Sequence, residues 1–74
     1  MTPAQCRAAR ALISMSMAEL SAAAAVSPTT IWDHEAGGVM LPSETNLRVM
    51  RAVLEREGVE FLDEDGVRMR QGWR

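Results

Sequence analysis

Residues 27–37 read SPTTIWDHEAG and bring together hydroxyls (Ser27, Thr29, Thr30), carboxylates (Asp33, Glu35), an imidazole (His34) and an indole (Trp32). Catalysis through His34 needs a nucleophile or an acid within hydrogen-bond reach, and no spacing in the chain suggests one. Cys6 is the single cysteine and His34 the single histidine. They lie far apart in sequence, and a zinc site takes three or four such donors, so no metal is expected. A lone cysteine forms no internal disulfide, which fits a reducing, cytoplasmic setting. DEDG at 63–66 carries part of a calcium-loop pattern but lacks the downstream Glu at the proper spacing, and it reads as a turn. With no nucleophile–base pair, phosphate loop or metal cluster, neither enzymatic activity nor a cofactor is expected. Recognition chemistry is available instead. Thr can meet a thymine methyl or a base edge, and Asp can accept from cytosine N4. Hydroxyls and backbone N–H groups at a helix start can hold a phosphate without any cation.

Helix signals set the positions of these groups. Thr2, Pro3 and Gln5 form a start signal, followed by Cys6, Ala9, Leu12 and Ile13 at helical spacing. The pattern breaks at residues 14–16. Ser16 and Glu19 make a second capping box, and Leu20, Ala23 and Ala24 form a small-residue stripe behind it. After a short turn at Val26 and Ser27, a third helix is expected over 28–36. It places Ile31 and Glu35 on one face and Thr29, Trp32 and Asp33 on another. Gly37 and Gly38 stop it. Ser43 caps a fourth helix over 44–57 with the stripe Leu47, Met50, Val53 and Leu54, ended by Gly58. The tail then changes period and predicts a β-hairpin around a turn that includes Asp65-Gly66. If those two residues form the turn, Leu62 faces Met69 and Asp63 faces Arg68, whereas a one-residue shift gives another set. The expected fold is mainly α: a four-helix domain over 1–57 and a short C-terminal β-hairpin over 58–74. A two-stranded hairpin is marginal alone and must pack on the helices or on a second chain.

From Arg10 to Gly37 the sequence RALISMSMAELSAAAAVSPTTIWDHEAG resembles the Xre/Cro-like helix-turn-helix family of bacterial and phage transcriptional regulators. A weaker likeness extends to about Leu54. Glu19-Leu20 fits the family's second-helix signature, Val26 and Ile31 fit its core positions around the turn, and Arg10 and Glu35 match a pair that commonly bridges the first and third helices. Met17 stands where the family usually has a phosphate-binding Gln, and Ala25 and Ser14 stand where it often has Gly. The resemblance implies that the third helix lies in the major groove of double-stranded DNA. Pro28, Thr29, Trp32 and Asp33 are then the base-edge candidates, and Ser27, Thr30 and the backbone of Met17 the phosphate candidates. Ser43, Thr45, Asn46 and Arg48 form a second candidate phosphate clamp. Trp32 has three open roles: a groove or sugar contact, an anchor for a partner protein, or part of the core. His34 either packs beside the helix or lies near a phosphate. Arg10 and Glu35 are expected as a structural ion pair.

Bulk properties narrow the partners. With 74 residues the chain forms one small unit, which is marginal alone and gains from dimerisation. Phe61, Leu62, Met69 and Trp73 are the expected homodimer interface. Hydrophobic residues make up 47%, which argues against disorder, and no apolar run is long enough to span a membrane. All eight cations are Arg, yet the net charge is −2, so the usual basic footprint of nucleic-acid binding is absent. That keeps a second expectation open: a protein-interaction module, such as an antiactivator or antitoxin-like partner, using Met17, Trp32, Val39, Met40 and Leu41 as an apolar surface.

Overall fold

The computed structural model describes residues 1–38 and 42–72 of the chain. Local capping chemistry fixes where each helix begins. Thr2 accepts from the Gln5 N–H at 3.1 Å, and the Gln5 side chain accepts from the Thr2 N–H at 2.9 Å, which starts α1 (Pro3–Leu12). The same reciprocal pair between Ser16 and Glu19, at 3.0 and 2.8 Å, starts α2 (Met17–Ala24). Ser27 accepts from the Thr29 N–H and Pro28 occupies the first turn of α3 (Pro28–Glu35). Ser43 accepts from the Asn46 N–H at the head of α4 (Glu44–Arg56). Each such cap satisfies backbone donors that a helix start otherwise leaves open, typically contributing about 1 kcal/mol. The last two helices each end one residue earlier than expected, with Ala36 and Glu57 as their C-caps.

Two helix ends turn through left-handed backbone without glycine. Ser14 has φ 53° after α1, and Ala25 has φ 55° and ψ 43° after α2. These are the positions where glycine was the residue expected by resemblance. The turn between α2 and α3 is tied by the Val26 N–H to the Ser21 carbonyl at 3.2 Å and by the Ser21 hydroxyl to the Val26 carbonyl.

Four helices and the tail close on one core. Cys6 and Ala9 come from α1, Leu20 and Ala24 from α2, Ile31 from α3, and Met50, Val53 and Leu54 from α4. Val26 from the turn and Val59 from the tail complete it. Three expected stripe positions behave otherwise. Leu12 is 45% exposed, because the chain bends away at Ser14 and Ile13 packs inward instead. Ala23 is exposed beside buried Ala24, and Leu47 is only half-buried.

The tail forms β1 (Val59–Phe61) and β2 (Val67–Met69), paired antiparallel. Val59 lies opposite Met69 and Glu60 opposite Arg68, so the alternative with Leu62 opposite Met69 and Asp63 opposite Arg68 is corrected. The cause is the loop. The Gly66 N–H bonds to the Asp63 carbonyl, which puts Glu64 and Asp65 at the centre of the turn, with Glu64 at φ 60°. The pairing also lets Val59 enter the core directly after Gly58, whose φ of 98° turns the chain out of α4. The hairpin tip is held by the first helix. Gln5 Nε2 donates to the carbonyls of Leu62 and Gly66 at 2.8 and 3.0 Å, and the Thr2 hydroxyl donates to Asp65 Oδ1 at 2.7 Å.

Candidate functional site

The inner face of α3 is seated by a buried carboxylate. Glu35 is 3% exposed, and its Oε1 accepts from one terminal nitrogen of Arg10 at 2.6 Å. Its Oε2 accepts from Arg10 Nε at 2.6 Å and from the Cys6 thiol at 3.1 Å. The Arg10 fork is therefore bidentate, the strong geometry for a guanidinium and a carboxylate. A further Arg10 nitrogen donates to the Met15 carbonyl at 2.9 Å, so one side chain links α1, the turn after it and α3. Arg7 donates to the backbone carbonyl of Glu35, at the C-terminal end of α3 where carbonyls lack helical partners. Burial pushes the Glu35 carboxyl up, but hydrogen bonds from Arg10 and Cys6, with the charges of Arg10 and Arg7, hold it below its usual range. Burial, and then the bond to Glu35, pushes the Cys6 thiol far up, so it remains a thiol and an unreactive one. His34 lies next to this lock, 3% exposed, which places it in the interior.

The outer face of α3 is different in kind. Pro28, Thr29 and Trp32 are exposed, and Asp33 is half-buried. Trp32 is 59% exposed, which removes partial core from its possible roles. Of the phosphate candidates, Ser27 is exposed but its hydroxyl already accepts from Thr29. Thr30 is half-buried, and Met17 is half-buried against the core. At the head of α4, Ser43, Thr45 and Arg48 are exposed and Asn46 is half-buried. Arg48 shares an open groove with Met1, Glu44, Leu47 and Arg51. The hairpin candidates divide. Phe61 and Met69 pack partly against the chain's own core, with Arg51 stacked 4.8 Å from the Phe61 ring centre, while Leu62 is 39% exposed. Trp73 and the apolar segment Val39, Met40 and Leu41 lie outside the described residues.

Sequence reasoning placed Arg10 and Glu35 as partners and missed the other groups on the same carboxylate. Cys6 is four residues before Arg10, one helical turn along the same face, and that spacing was the available signal. The Gln5 contacts to the hairpin had no signal at all, since they join groups 57 and 61 residues apart.

Among the described residues, no group of three His, Cys, Asp or Glu side chains is placed to hold a metal ion, and no helix is long and apolar enough to cross a membrane. The structure defines a compact, mainly helical domain of four helices with a two-stranded antiparallel sheet at its C-terminal end. Comparison with known proteins found no matching family model and no matching curated protein.

Proposed function

We propose that the protein is a small sequence-specific DNA-binding regulator in which α2 and α3 act as a helix-turn-helix. The observation that carries this reading is the two-sided character of α3. Its inner face is fixed by Ile31 and by Glu35 on Arg10, while Pro28, Thr29 and Trp32 stand free at its N-terminal half. A reading helix needs this combination, because base contacts demand a rigid mount and an unencumbered face. Thr29 and Asp33 contact base edges, and Trp32 packs on a thymine methyl or a sugar. The chain binds as a homodimer on a palindromic operator, with two α3 helices about 34 Å apart on one side of the duplex. Among the described residues, Leu62 is an exposed apolar group on the hairpin available for that dimer.

Selection from randomised duplex DNA at two salt concentrations tests the reading. The native protein enriches a palindromic motif. Thr29→Ala and Asp33→Ala each flatten the preference at one position per half-site, by about 1–3 kcal/mol against the competing base. No enrichment even at low salt overturns the proposal.

One observation favours a second reading. Residues 27–37 contain no Lys or Arg, and Trp32 is the most exposed of the large apolar side chains among the described residues. An aromatic group in that setting suits the centre of a protein interface, where Trp is enriched among the residues that carry binding energy. If selection fails, Trp32→Ala in a partner pulldown is the next comparison.

A further inference from the structure

His34 is on α3, 3% exposed, and among the described residues neither ring nitrogen has a hydrogen-bond partner. Buried polar groups nearly always have one, and a buried charge without one is far more costly than a buried neutral ring. Among the described residues, no side chain bonds the ring. Glu35 is its chain neighbour, but its carboxylate is engaged by Arg10 and Cys6 and has no hydrogen bond to the ring. From α1 the charged groups are Arg7 and Arg10, both cations and both engaged with Glu35. From α2 the single ionisable group is Glu19, exposed and bonded back to Ser16. The charge of the Met1 ammonium also opposes protonation.

We infer that His34 makes the seat of α3 proton-sensitive: the neutral ring is accommodated in the interior, the imidazolium is expelled, and acidification loosens α3 from α1 and α2. This inference concerns the fold and holds whether α3 meets DNA or a protein. Burial first, and then the Met1 ammonium, lower the affinity of the folded-state ring for protons, with Glu35 opposing them. In the unfolded chain the ring titrates near about 6.5. Between that value and the lower folded value the unfolded chain binds more protons. Stability is thus fully present above about pH 6.5 and falls as pH drops toward the folded value. Within that window the folding equilibrium constant declines by up to about tenfold per pH unit. The carboxylate lock acts lower. Glu35 is held below its usual 4.5, so its contribution is lost only at pH values beneath that.

His34 is the only histidine, so its ring signals in NMR are unambiguous. The test combines an imidazole titration of the full native chain with urea unfolding between pH 7.5 and 5, repeated on His34→Gln. The expected result is a ring midpoint below about 6.5, accompanied by shifts of α3 amides. The native urea midpoint falls through the same window, and the His34→Gln midpoint stays level. A ring midpoint at or above the free-peptide value overturns the inference, as does an equal decline in His34→Gln. If His34→Gln does not fold, the native ring titration decides alone, by the same two outcomes.

Discussion

Glu35 shows how one buried carboxylate is kept ionised on an apolar face. Its oxygens receive three donors, two from Arg10 and one from Cys6, so the charge is compensated by geometry as well as by an opposite charge. Removing one partner leaves the other charge buried alone, which typically costs about 3–5 kcal/mol, whereas replacing both with apolar groups is often neutral. Arg10→Met is therefore expected to lose about 3 kcal/mol or more in urea unfolding. The double change Arg10→Met, Glu35→Leu should recover most of that loss. If the double variant is as unstable as the single one, the bond from Arg10 to the Met15 carbonyl, not the ion pair, carries the stability. The Arg10–Glu35 pairing was legible because the resemblance aligned both residues. The thiol was legible only as an apolar position, since helical spacing puts Cys6 on the core stripe and says nothing about which acceptor its S–H meets. His34 was left between interior and surface for a similar reason: its neighbours Asp33 and Glu35 lie on either side of the boundary, and one residue of helical rotation separates the two outcomes.

At the level of elements, the joint between α2 and α3 is short and strained. Ala25 at φ 55° places a Cβ where the left-handed region disfavours one, at a cost of about 1–2 kcal/mol for an L-residue. Glycine removes that cost but adds freedom to the unfolded chain, about 0.4–1 kcal/mol in the other direction. Ala25→Gly is expected to stabilise the protein by about 0.5–1 kcal/mol, read as a rise of several degrees in the thermal midpoint. A lower midpoint would mean that the Ala25 side chain makes contacts worth more than the backbone strain. Capping residues made the helix starts readable to the residue, because each cap is local chemistry written in three or four consecutive positions. The hairpin register was not readable. Local preference favours a turn centred on Asp65-Gly66, and the observed turn, centred on Glu64-Asp65 and tied by Gln5 to the Leu62 and Gly66 carbonyls, runs against it.

For the molecule as a whole, charge decides how it could meet a polyanion. The net charge is −2, and Arg10, Arg51 and Arg68 are held by Glu35, Glu55 and Glu60. Each phosphate neutralised by a cation contributes about −0.9 to the slope of log affinity against log salt. If the proposed DNA binding holds, that slope is expected to be shallower than about −6, measured by titration across a range of salt concentrations. A steeper slope would require cationic contacts that α3 does not possess. Affinity would then come mainly from hydroxyl, backbone and apolar contacts, which places unusual weight on shape. The Cα radius of gyration, 11.3 Å, matches the roughly 11 Å expected for a compact chain of this length. For the proposed homodimer, a concentration-dependent sedimentation profile is the readout.

The clamp of Gln5 on the hairpin has a consequence in time. Its two bonds to Leu62 and Gly66 close loops that span nearly the whole chain, and such closures form slowly because the entropy of the intervening segment is lost first. The amide of Gln5 meets both acceptors only once the turn between β1 and β2 has formed. The residue whose side chain caps the start of α1 is thus also the one that holds the turn between β1 and β2, so a single amide ties the two together.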